Sequence, residues 1–110
     1  MSSVRIDNGL DKWENVKGSA GRESGKETWI NYWSYYTGEK LPCECKAEGC
    51  HEQAVDGSHI VYHHNLNGPE YIVPLCHKHN EFPRGQFFYL KLGTPIVSAN
   101  VAETKKEFGE

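Results

Sequence analysis

A small α+β domain held together by one metal ion is the fold class this chain predicts, and three observations predict it. Cys45-Lys-Ala-Glu-Gly-Cys50 reads C-x4-C and Cys76-His-Lys-His79 reads C-x2-H, so two ligand pairs flank one stretch of chain. That stretch carries apolar, β-rich runs on either side of Asn67-Gly68, a strong short-range hairpin signal. The second ligand pair opens a short helix, where a spacing of three puts Cys76 and His79 on one face. Knuckle, hairpin and ligand-bearing helix, in that order, are the layout of a treble-clef zinc finger. Two knuckles that each present two donors are what a tetrahedral ion needs.

The elements follow in order. Residues 1–26 hold Gly9, Gly18, Gly21 and Gly25 among serines and charges, and predict a flexible or loosely docked arm with Trp13 and Val16 as anchors. From Glu27 to Thr37, Trp29, Tyr32, Trp33 and Tyr36 recur at helical spacing, and Gly38 follows as a C′ residue. This aromatic helix is expected to pack on the metal-binding core; the other use of such a face is a stacking platform for bases or a peptide. Ser58 to Tyr62 reads as a strand, Asn67-Gly68 as its turn and Tyr71 to Val73 as the returning strand, ended by Pro74. Leu75 to Phe82 is expected to be the short helix, limited by Pro83. Gln86 to Leu92 and Pro95 to Ser98 predict a C-terminal hairpin around Gly93-Thr94. The domain is therefore placed at 27–101, with 102–110 a polar tail that forms at most a frayed helix.

At 110 residues, with 37% hydrophobic, the chain affords one domain whose modest core gains from a metal staple. No segment is long and apolar enough to cross a bilayer, and the first residues lack the apolar run of a secretory signal. The expectation is a cytoplasmic protein without a membrane partner, in which the presence of four cysteines means a metal site rather than two disulfides. Lys and Arg number 12 against 15 Asp and Glu, a net charge of −3, and the densest basic pair is Lys105-Lys106. A basic face of the kind that tracks a phosphate backbone is not visible. Nothing in the sequence points to a small-molecule substrate.

Cys45, Cys50, Cys76 and His79 are the expected ligands of a closed, structural zinc site. Cys43 is left over; Cys43-Glu44-Cys45 is too tight for a knuckle, although Cys43 replacing Cys45 would give a C-x6-C variant. His51 and His77 read as surface residues.

Cys45 to Asn80, about a third of the chain, resembles the HNH-endonuclease or ββα-metal superfamily, closest to a small bacterial and phage-type variant. The most specific piece is Tyr71-Ile-Val-Pro-Leu-Cys-His-Lys-His-Asn80, similar to the family's Asn-Leu-x-Pro-Leu-Cys-x2-Cys-His/Asn segment. The resemblance implies His59 as the general base that activates water, and Asn80 as a ligand of a catalytic Mg²⁺ or Mn²⁺. Two positions depart from it. Ser58 stands where the family keeps an Asp or His ligand, and Tyr71 where an Asn orients the histidine. Asp56, two residues earlier, would have to reach inward to replace the missing ligand. His63, four residues beyond His59 on a strand, would share its face and build a His-rich site with His59 and Asn80; the alternative leaves His63 and His64 on the polar end of the hairpin. The reading favoured on these residues is a non-catalytic zinc-binding module that acts on a protein or nucleic-acid partner. A metal-dependent HNH-type endonuclease is the alternative, and a structural zinc ribbon with a satisfied core histidine at 59 is the third.

Overall fold

The computed structural model describes residues 3–16, 28–83 and 85–109. Within them one antiparallel sheet organises the chain. Its middle is a pair of strands, β3 (Asp56–Tyr62) and β4 (Glu70–Leu75), joined in a ladder that runs from Asp56↔Leu75 to Val61↔Glu70. Strand β5 (Pro95–Ser98) flanks β4, and two short strands, β1 (Ser3–Arg5) and β2 (Trp13–Asn15), take the edges in the order β1-β5-β4-β3-β2. Three helices complete the described residues: α1 (Trp29–Thr37), α2 (His77–Asn80) and α3 (Val101–Glu107).

The sheet separates two apolar clusters, because successive side chains on a strand point to opposite faces. Ile60, Val73, Leu75 and Ile96 pack with Trp13, Cys45, Ala47, Phe88 and Leu90, the cluster that contains the first knuckle. Ile72 and Val97 face the other way and meet Tyr32, Trp33 and Tyr36 of α1. The aromatic helix is therefore core, and not a stacking platform: Tyr32, Trp33 and Tyr36 are buried and only Tyr35 stands out. Thr28 caps its first turn by accepting from Asn31 N–H, and Gly38 closes it with φ 77° and an N–H to Ser34. The buried Trp33 indole donates to the Pro95 carbonyl at 2.7 Å and the Tyr32 phenol to the Ser98 carbonyl at 2.7 Å, so neither polar end is lost on burial. Gly57 is the point of closest approach. A Cβ there would lie 2.3 Å from the backbone of Trp29 and Ile30, so only glycine lets α1 cross β3.

Several expectations are corrected. Residues 3–16 are not a loose arm: they supply both edge strands, and Ile6 and Trp13 are buried in the knuckle-side core. Residues 17–27, the remainder of that expected arm and the first helical residue, lie outside the described residues. The β3–β4 connection is not a two-residue turn but spans 63–69, with Asn65 N–H bonded to Tyr62 and Gly68 N–H bonded to Asn65. Pro69 has no N–H to pair, which delays β4 to Glu70. Pro74 does not end its strand. The ladder to β5 covers only Tyr71 and Ile72, so Pro74 lies beyond it, and its carbonyl accepts from Lys46.

The expected C-terminal hairpin is absent too. Residues 86–92 run between two other segments, bridging Trp13 through Phe88 and Ala47 through Leu90, while β5 joins β1 and β4. The polar tail forms α3, capped by Asn100, with Thr104 buried against the Ser98 carbonyl.

Candidate metal centre

The first knuckle is built by backbone hydrogen bonds to segments that flank it. Cys45 N–H donates to Glu52, Lys46 N–H to Pro74 and Glu48 N–H to Tyr89, while Cys50 N–H closes the turn on Ala47. Gly49, at φ 80°, is the residue in that turn that needs left-handed backbone. The second pair comes from the end of β4. Cys76 is the N-terminal cap position of α2 and His79 lies within the helix.

Cys45, Cys50, Cys76 and His79 meet, with all four donor atoms within 4.8 Å of one another. The Sγ atoms of Cys50 and Cys76 are 3.9 Å apart, and His79 Nδ1 lies 3.7 Å from Cys45 Sγ and 3.2 Å from Cys76 Sγ. A tetrahedral Cys3His zinc site with ordinary bond lengths needs about 3.8 Å between sulfurs and about 3.6 Å from sulfur to nitrogen. The donor set fits a metal ion such as zinc, and a tetrahedral ion held by all four would keep no open coordination position. Cys43 is not in the cluster; it packs beside Leu41 against the α1 side of the molecule. The donor cluster therefore includes Cys45 and not Cys43.

Electrostatics point the same way. Burial pushes Cys45 up to about 12 despite hydrogen bonds from the Cys76 and Ala47 N–H groups, so without a cation this sulfur stays protonated. Cys76 goes down: burial opposes ionisation, but hydrogen bonds from the His79 and Lys78 N–H groups and from the Cys45 and Cys50 thiols outweigh it. His79 is also lowered, by burial first and then by Lys78, which favours the neutral imidazole that ligates metal. A bound cation would replace the thiol protons and supply the positive charge that buried thiolates lack. Cys45 and Cys76 are buried, whereas Cys50 and His79 are half-exposed on an open cleft of about 660 Å³ that Glu48, His51 and His77 also line.

Asn15 is the supporting residue that sequence reasoning missed. From edge strand β2 its side-chain amide donates to the carbonyls of His79 at 2.8 Å, Asn80 at 3.2 Å and Phe82 at 3.1 Å, and so caps the C-terminal end of the ligand helix. Its partners lie 64 to 67 residues away, and no local signal announces them.

No protein-family model, no curated protein and no solved structure matches this chain.

The remaining candidates are not one site. His59 is buried on the α1 face of β3, its ring 4.4 Å from the Trp29 ring and nearly perpendicular to it. Ser58, one residue earlier, points to the opposite face, where its hydroxyl bonds the side-chain oxygen of Asn80. His59 and Asn80 thus belong to opposite sides of the sheet, as Ser58 and His59 must on a strand. His63 does not share a site with either; it lies past the end of β3, paired with the buried Glu14. Asp56 reaches His77, 3.7 Å away, and His77 also pairs with Glu81 at 2.9 Å on the surface. His51 is exposed beside Glu44. Tyr71 packs edge-on against Trp13 and pairs with Ile60, which puts it on the face of the sheet opposite His59.

Proposed function

We propose that this chain is a zinc-stabilised, treble-clef-like module of HNH type that works by binding a protein or nucleic-acid partner and does not cleave phosphodiesters. The observation that carries this reading is the separation of His59 from Asn80. A general base must reach the water it deprotonates beside the metal-held phosphate. His59 is instead buried under Trp29, and Asn80 spends its side chain on Ser58 across the sheet. The zinc would be held by Cys45, Cys50, Cys76 and His79, and with four protein donors its task is to fasten the knuckle to α2. The order knuckle, β3–β4 hairpin, α2 supports the treble-clef description. A surface suited to contact is present as well. Leu10 is 80% exposed and Leu92 67% exposed, on two loops tied together where Gly93 N–H meets the Ile6 carbonyl.

The test is cleavage. Zinc-loaded protein is incubated with supercoiled plasmid and with single-stranded DNA, in Mg²⁺ or Mn²⁺, beside His59→Ala. The expected result is no metal-dependent nicking by either protein. Nicking by the wild type that vanishes in His59→Ala would replace this reading with the endonuclease one.

A further inference from the structure

Away from the Cys3His centre, the buried carboxylate of Glu14 is held on two sides. One oxygen accepts the Gly85 N–H at 2.8 Å, and the other bonds Nδ1 of His63. The His63 backbone N–H donates to Lys12 at 2.8 Å, which seats the residue against the end of β2. A carboxylate on Nδ1 fixes the proton there and leaves the lone pair on Nε2, the arrangement that stands behind metal-ligating histidines. His63 keeps 30% of its side chain exposed, and His64 beside it is exposed. The two imidazole centres are 5.1 Å apart, with their planes at 74°. Two imidazoles bound to one ion at ordinary zinc–nitrogen length and a tetrahedral angle have centres about 5.2 Å apart. Phe87 walls one side, its ring centre 5.4 Å from that of His63.

We propose that His63 and His64 form a second metal site, a surface bis-imidazole pair for a borderline divalent ion such as Ni²⁺, Cu²⁺ or Zn²⁺, with Glu14 as the carboxylate behind His63. Imidazole donors select ions of this class over Mg²⁺ or Ca²⁺. Among the described residues no third His, Cys or carboxylate joins the pair, so water completes the coordination and exchange is fast. The site is independent of the non-catalytic reading above. Its ion is bound to the surface and takes no part in holding the knuckle.

The experiment is calorimetric titration of the untagged, zinc-loaded chain with Ni²⁺, with protein-bound zinc measured by atomic emission at the end. One Ni²⁺ bound per chain with all zinc retained is the expected result. His64→Gln, a change at an exposed residue that does not touch Glu14, should abolish this binding while leaving zinc content and melting temperature unchanged. Glu14→Gln should keep the stoichiometry and weaken Ni²⁺ about tenfold to a hundredfold, the usual effect of losing such a carboxylate. Ni²⁺ that enters only by displacing zinc, no binding at all, or binding that survives His64→Gln would each overturn the site.

Discussion

Replacing Asn15 with alanine tests whether an edge strand governs the metal centre. The substitution removes one amide whose two hydrogens serve three carbonyls, those of His79, Asn80 and Phe82, at 2.8 to 3.2 Å. Each net hydrogen bond contributes about 1 kcal/mol, and a half-buried carbonyl left unpaired costs about 1–3 kcal/mol, a penalty that the His79 carbonyl escapes because it keeps the Phe82 N–H. Against this, the Asn15 side-chain oxygen is itself buried with no hydrogen-bond partner among the described residues, and its removal returns part of the loss. The balance is a destabilisation of about 2–3 kcal/mol. Because the ligand helix is what frays, and metal binding is linked to folding, the same energy appears in zinc affinity. At about 1.4 kcal/mol per decade, the apparent zinc dissociation constant should rise roughly thirtyfold to a hundredfold. Competition against a chromogenic chelator, read with a thermal melt, measures both. Asn15→Asp should be worse, since a carboxylate would face three carbonyls with no donor. Unchanged chelator competition and an unchanged melt in Asn15→Ala would refute the capping argument.

Three further outcomes follow from the packing and the charges. Cys76→Ser should abolish stoichiometric zinc binding and cooperative melting, whereas Cys43→Ser, outside the ligand cluster, should leave both nearly intact; zinc content and far-UV melting of the two variants decide the ligand set. Trp33→Ala empties the centre of the α1-side core and strands the Pro95 carbonyl, which should cost about 3–5 kcal/mol in denaturant unfolding. A loss below about 1 kcal/mol would mean that the helix is not packed as described. Tyr32 is raised above its ordinary value, by burial first, with Glu103 adding to the effect and a hydrogen bond with Thr104 opposing it. The fold favours the neutral phenol, so its contribution is intact below the ordinary tyrosine value of about 10 and lost as pH climbs through the folded value. The melting temperature should therefore fall above about pH 10, and Tyr32→Phe should flatten that limb; an identical limb in the variant would exclude Tyr32 as its source.

Which parts of this molecule could be read beforehand depends on how far apart in the chain the causes lie. The two donor pairs that cluster were legible because each is local: a turn brings Cys45 and Cys50 together, and one helical turn brings Cys76 and His79 together. The aromatic helix was legible for the same reason, since Gly38 and the spacing of Trp29, Tyr32, Trp33 and Tyr36 are all within one segment. Strands β1 and β2 were not. At three residues each they carry no periodicity, and what makes them strands is the neighbour they pair with, β5 and β3. Residues 86–92 misled in the opposite sense. Their apolar, β-rich composition suits a hairpin, but their partners are Trp13 and Ala47, far away in the sequence.

The candidate site divides along the same line. Chain chemistry alone determined that three thiolate donors and an imidazole are present in two pairs, and that Ser58 and His59 must point to opposite faces of any strand that contains them. It could not determine which face α1 covers. That choice falls to the packing of Trp29 and Ile30 over Gly57, which buries His59 and leaves Asn80 with Ser58 on the other side. Donor identity is written in covalent structure, whereas the company a side chain keeps is set by which apolar faces exclude water together, and only the tertiary fold decides that.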